Sequence, residues 1–325
     1  MALMTFQEAI RETIRQEMAA DSRLFLIGED VGPYGGEMGT TGDLWADFGD
    51  DRVRDAPIAE SAIIGCAFGA AITGCRAIAE IPFGDFIGVC MDPIFNQVAK
   101  IRHMTGGQIK VPLVIRTTMG GYIRAAAQHS QCLESWFVHV PGVKVVVPSI
   151  PADAAGLLRA SLRDGNPVIF FEHKGLYSLE GEVPEEPDYT VPLGKARVAR
   201  PGSDVTIIAT ALQLHKAMEA AEKLATRGIS AEIVDPRTLD PLDEDTIISS
   251  VAKTGRAVIV HEAHRRGGYG GEIAAVIADR GFGYLKGPIK RVAARDVPIP
   301  FSPTLEDFVL PQVDDIVAGA EQCLA

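Results

Sequence analysis

The chain has 325 residues, with 43 acidic against 31 basic side chains and a formal net charge of −12. That balance excludes a nucleic-acid surface, which needs clustered Lys and Arg, and the longest uncharged run in the first half, 61–75, is too short to span a bilayer. Cys66, Cys75, Cys90, Cys132 and Cys323 show no CxxC spacing and no basic-then-apolar leader opens the sequence, so reduced thiols in a cytoplasmic protein are expected.

Thr5 followed by Glu8 is a capping-box pattern for a helix running to about residue 19. A strand is expected at 24–27, followed by a Gly-rich loop over 28–49, long enough to suggest a functional role. Further strands are expected at 77–81, 113–116, 143–147 and 168–171, and helices at 61–72, 92–104 and 152–162. Short apolar or β-branched runs alternating with helical patterns predict an α/β fold with a parallel sheet between helices. Residues 174–203 are rich in Glu and Pro and look like an extended connection. Strands at 205–209, 231–234, 257–261 and 289–293, with helices at 212–227 and 270–280, then predict a smaller doubly wound sheet. The expected division is a first domain over 1–175, a linker over 176–203 and a second domain over 204–325.

Open α/β sheets bind ligands where strands end and helices begin. The first such junction is Pro57-Ile58-Ala59-Glu60, before a helix that is apolar on nearly every side and therefore buried. Glu60 there is either a charge favoured by the helix N-terminus or a partly desolvated functional acid. The second is Glu80-Ile81-Pro82-Phe83-Gly84-Asp85-Phe86, where either Phe can be simple core. The third is Gln128-His129-Ser130-Gln131, where His129 can titrate near neutrality and act on a substrate, or serve only local capping. Gly267-Gly268-Tyr269-Gly270-Gly271 does not match G-x-G-x-x-G and reads as a tight turn. His261, Glu262 and His264 beside it do not have metal-ligand spacing.

Five ordered segments together resemble the beta chain of the first component of pyruvate, acetoin and branched-chain 2-oxo acid dehydrogenases. They are Ile27-Gly28-Glu29-Asp30-Val31 with Tyr34-Gly35-Gly36; Arg52-Val53-Arg54-Asp55 with Pro57-Ile58-Ala59-Glu60; Gln128-His129-Ser130-Gln131; Pro141-Gly142-Val143-Lys144-Val145-Val146; and Pro298-Ile299-Pro300-Phe301. The resemblance covers nearly the whole chain. It implies a thiamine-diphosphate pyrimidine-binding domain followed by a transketolase C-terminal-like domain, and a decarboxylating or C–C-cleaving enzyme that passes an acyl group to lipoamide. It also implies an alpha subunit, in a heterotetramer of two alpha and two beta chains, that grips magnesium and the diphosphate. The Gly-Asp-Gly and Asn-Asn elements of that grip have no match in this sequence. A lipoyl-bearing acyltransferase core is the implied further partner.

Carried over residue by residue, the resemblance makes Glu60 the acid that hydrogen-bonds the aminopyrimidine ring. Phe86 becomes the aromatic stacked on it, Ile58 the residue packing beside Glu60, and Glu29 a member of the polar tunnel between paired cofactors. His129 becomes the histidine that positions substrate or acyl intermediate. It also implies a potassium site built mainly of main-chain carbonyls, at Leu113, Ser161, Leu162, Asp164 and Asn166. Pro82, which removes a backbone donor near the pyrimidine, and the 119–124 loop depart from the family pattern, and Tyr122 and Arg124 in that loop are expected to reshape the substrate entrance. Two other readings stay open: a transketolase-type half enzyme, for which Arg124 and His264 would offer sugar-phosphate contacts, and a non-catalytic docking subunit.

Overall fold

Thr5 closes the first helix as its neighbours require. The Thr5 hydroxyl accepts the Glu8 N–H at 3.1 Å, and the Glu8 carboxylate accepts the Thr5 N–H at 2.8 Å, so two donors at the helix start are satisfied reciprocally. The helix Phe6–Ala20 buries Phe6, Ile10, Ile14 and Met18 along one stripe. The computed structural model describes residues 1–325. Their contacts divide into two compact units, Met1–Met119 with Trp136–Leu193, and Gly120–Ser135 with Gly194–Ala325.

In the first unit the strands Lys144–Val146, Val168–His173, Leu113–Met119, Arg76–Ile81, Leu24–Glu29 and Val53–Ala56 lie side by side in that order, all parallel. Apart from the edge strand Val53–Ala56, their largely apolar, buried character is what a sheet covered on both faces demands. Helix Glu60–Ile72 packs on Arg76–Ile81, and Pro151–Arg163 packs against Phe6–Ala20. The 28–49 loop is pinned rather than loose. Gly32 N–H donates to Asp55 at 2.6 Å, Gly36 N–H to the Asp30 carbonyl at 2.7 Å, and Arg11 to the Gly39 and Thr40 carbonyls at 2.6 and 3.0 Å. The stretch expected as one helix over 92–104 is instead a π-helical turn, Pro93–Val98, and a short α-helix, Ile101–Met104.

In the second unit, Lys290–Ala294, Ala257–His264, Val205–Ala209 and Ala231–Asp235 run parallel in that order, and Arg197–Arg200 adds an antiparallel edge. The region expected as a connection therefore carries two strands. Glu180–Val183 pairs antiparallel with Ala2–Thr5, and Arg197–Arg200 with Ala231–Asp235.

Candidate active site

Helix Glu60–Ile72 opens on Glu60 itself. Ala59 before it is the N-cap and offers no capping side chain. Glu60 is 7 % exposed at the helix start, where the first main-chain N–H groups have no intrahelical acceptor. Glu29 ends the adjacent strand Leu24–Glu29. Burial pushes its carboxyl above the usual range, and the Glu60 charge pushes it further. Glu29 Oε1 is buried with no hydrogen-bond partner. The same Glu60 charge reaches the buried Cys90 thiol, which burial first and Glu60 second push up to about 12. The structure thus brings Glu29, Glu60 and Cys90 into one electrostatic neighbourhood at the strand ends, the place such sheets use for ligands.

Ile58 stands 83 % exposed two residues before Glu60. Phe86, half-buried in the 3₁₀ segment Gly84–Cys90, meets Phe83 edge to face at 5.9 Å and 83°. Pro82 lies just upstream, its carbonyl accepting the Thr118 hydroxyl at 2.7 Å. His129 sits half-buried on the Gly120–Ser135 segment of the second unit. In that unit Arg124 is ion-paired with Glu306 and Asp307, and His264 Nδ1 lies 2.8 Å from the Arg295 carbonyl. The two side chains that a sugar-phosphate entrance would offer are committed to the protein itself.

A buried charge cluster escaped the sequence reading. Arg116, 2 % exposed, donates through Nη1 to Glu80 at 2.6 Å and through Nε and Nη2 to the two oxygens of Glu172 at 2.7 and 2.9 Å. Tyr177 adds its hydroxyl to Glu172 at 2.8 Å. Burial works against the Arg116 charge, but Glu172 and Glu80 outweigh it and hold the guanidinium protonated. Burial raises the Glu80 carboxyl above its usual range against the pull of Arg116. The cluster ties three neighbouring strands together just below the ends that carry Glu29 and Pro82. Its only trace in the sequence is a charged residue near the end of each of three apolar strands.

At the turn expected to hold potassium, both the main-chain and side-chain N–H groups of Asn166 donate to Asp164 Oδ1 at 2.8 Å. Lys144 takes the other Asp164 oxygen, and Arg102 takes the Asn166 side-chain oxygen. Asp164 and Asn166 side chains are therefore used in shaping the turn, and a cation here would rest on carbonyls alone. The Ser161 carbonyl accepts the Asp164 N–H at 3.2 Å and the Leu162 carbonyl accepts Arg76, leaving each a second lone pair. No His, Cys, Asp and Glu cluster elsewhere has metal-binding geometry.

The glycine-rich stretch after His264 is explained by packing. A Cβ on Gly270 would lie 2.4 Å from His261 Cδ2, and one on Gly268 would lie 2.2 Å from the His264 carbonyl. The glycines make room for the buried His261 ring, whose pKa burial lowers to about 4, so it is neutral.

The family described as transketolase, pyrimidine binding domain, matches residues 2–180, and that described as transketolase, C-terminal domain, matches 194–316. Acetoin:2,6-dichlorophenolindophenol oxidoreductase subunit beta of Bacillus subtilis (strain 168) is 49 % identical, over 97 % of this chain and 96 % of the relative. Pyruvate dehydrogenase E1 component subunit beta and 2-oxoisovalerate dehydrogenase subunit beta of the same organism are each 44 % identical. They cover 100 % and 99 % of this chain, and 99 % of each relative. A solved structure described as a split gene transketolase, inactive beta4 tetramer, superposes with a TM-score of 0.80 at 24 % identity, over 99 % of this chain and 98 % of that one, and speaks to the fold. Both transketolase domains in order, with relatives of this identity along the whole length, show that the chain belongs to the family of E1-type dehydrogenase beta subunits expected from its motifs.

Proposed function

We propose that the chain supplies the acid Glu60 to a thiamine-diphosphate enzyme that cleaves acetoin or a small 2-oxo acid and passes the acyl group to lipoamide, working only with an alpha subunit. The observation that carries this reading is the buried acid Glu60 at a helix start, with Glu29 beside it holding a buried, unpartnered oxygen. When bound, the cofactor supplies a carbon nucleophile and an electron sink. Glu60 would hold a proton against the pyrimidine ring nitrogen. Phe86 would pack on the ring face, and exposed Ile58 would be covered beside it. Glu29, with its unpartnered oxygen, would extend the polar path away from the site.

Magnesium and diphosphate would be held by the alpha subunit, in a heterotetramer of two alpha and two beta chains that serves a lipoyl-bearing acyltransferase core in the cytoplasm. His129 would position the acyl group during its transfer. A potassium ion would rest on the carbonyls of Leu113, Ser161, Leu162, Asp164 and Asn166. The names of the relatives favour this reading over a transketolase-type half enzyme, as does the internal use of Arg124 and His264.

The test is Glu60→Gln, co-expressed with the alpha partner. Turnover is expected to fall by roughly a hundredfold or more, the range for removing a proton-transfer group, with unchanged circular dichroism and an intact complex. Wild-type turnover in that variant would sink the proposal.

A further inference from the structure

Between the strand ending at Met119 and the helix beginning at Glu134, the chain makes an excursion whose backbone is unfavourable. Tyr122, Arg124 and Ala126 have φ of 65°, 62° and 61°, the left-handed region that a Cβ disfavours. Conformations of this kind persist only where surrounding groups over-determine them.

Those groups lie within the second unit. Gly121 N–H donates to Glu262 at 2.5 Å and Tyr122 N–H to Glu306 Oε1 at 3.1 Å. The Arg124 guanidinium pairs with the other Glu306 oxygen, forks onto Asp307 at 2.8 and 3.2 Å, and reaches the Pro303 carbonyl at 3.2 Å. The Tyr122 hydroxyl donates to the Pro311 carbonyl at 2.7 Å and accepts Gln213 at 2.9 Å, while Lys216 Nζ lies 3.7 Å from the ring centroid. A side chain at Gly121 would come within 2.6 Å of Leu310. Glu306 is fully buried, and both its oxygens are used on this one segment. A buried carboxylate is costly, and apolar packing alone would dock so short a stretch more cheaply. Here the carboxylate fixes main-chain position, which apolar contacts do poorly.

The geometry points to Glu306 as a positioning residue for His129, acting through Tyr122 and Arg124 to hold the strained arch that leads into it. The inference rests on the proposed role of His129 in acyl transfer. A shift of about 1 Å in a group that orients a reacting fragment costs up to a hundredfold in rate, so a buried anchor is warranted. It also gives Tyr122 and Arg124 a place: they are the handles by which Glu306 grips the arch.

The experiment uses the assembled alpha–beta enzyme with thiamine diphosphate and magnesium, and reads kcat and KM for lipoamide reduction. It compares Glu306→Gln, Arg124→Ala and His129→Ala with the two double variants that include His129→Ala. Arg124→Ala serves as the milder lesion should the buried substitution fail to fold. The expected result is a fall in kcat of about tenfold or more in Glu306→Gln and Arg124→Ala, with KM little changed. The fall should shrink to less than about twofold once His129 is already Ala, the non-additivity of residues acting as one unit. Arg124→Lys should recover part of the loss. An equal fold-loss in both backgrounds, or none with His129 present, would overturn the inference while leaving the function proposal standing. Wild-type kcat in His129→Ala would overturn the reading of His129 and this inference with it.

Discussion

Arg116 and Glu172 lie two residues out of register on adjacent parallel strands and join by a two-pronged bond, Nε to one carboxylate oxygen at 2.7 Å and Nη2 to the other at 2.9 Å. Such a fork fixes orientation as well as distance. With Glu80 on the third prong, the guanidinium carries the charges of two buried acids.

Removing that cation leaves both acids without compensation. Arg116→Met is expected to destabilise the chain by about 3–5 kcal/mol, the cost of breaking a buried pair from one side. Urea unfolding would show it as a lower midpoint at unchanged slope. Arg116→Met combined with Glu80→Gln and Glu172→Gln should recover a large part of the loss. A single-variant loss below about 1 kcal/mol would mean the cluster is hydrated in solution.

The His261 ring and Gly270 occupy one space. Gly270→Ala is expected to cost about 1–3 kcal/mol by overpacking, since its Cβ would meet the ring at 2.4 Å. His261→Ala should relieve most of that penalty in the double variant, and thermal unfolding of the four forms would measure the coupling. Additive losses would place the clash elsewhere.

Two buried groups set opposite pH slopes on stability. Burial raises the Glu134 carboxyl from 4.5 to about 7, with Glu262 adding to the rise. Between those values the folded chain keeps a proton that the unfolded chain has released, so stability falls as pH rises through the window and is flat above it. His261 is lowered from 6.5 to about 4, so the unfolded chain binds the extra proton and stability falls as pH drops through that window. Glu134→Gln should therefore be more stable than the native chain at pH 8, by at most about 3 kcal/mol, and show no such gain at pH 4.5. Equal gains at both values would rule out the proton linkage.

If a monovalent cation rests on the 161–166 carbonyls, potassium at about tenfold excess over its Kd adds about 1.4 kcal/mol of stability by mass action. Melting in potassium against choline chloride at one ionic strength would show a higher Tm in potassium. Identical curves would remove the cation from the proposal.

The sheets and most helices were legible because their apolar runs have the period of buried strands and amphipathic helices. The Thr5–Glu8 cap was legible because both partners lie within one turn. Glu60 was legible as an acid at a buried helix start, but its tie to Glu29 needs the adjacency of two strands that sequence spacing does not express. The Arg116 cluster was hidden for the same reason, since Glu80, Arg116 and Glu172 become neighbours only through sheet register. The break of the 92–104 helix was hidden because a π-turn keeps helical composition while changing the hydrogen-bond step. Nor did composition betray the grip on Tyr122 and Arg124, whose partners sit some 180 residues further along.

The placement of Gly120–Ser135 within the second unit has a consequence for how the gene can be cut. The chain completes neither unit in one pass: it leaves the first at Gly120, re-enters at Trp136 and departs again at Gly194. A fragment ending near residue 193 would keep the arch but lose Glu262, Glu306 and Gln213, and the complementary fragment would keep those anchors with nothing to hold. Single-crossover swaps between relatives at the apparent boundary would separate the arch from its own anchors. Functional chimaeras should instead need the arch and the 262–311 region drawn from the same parent.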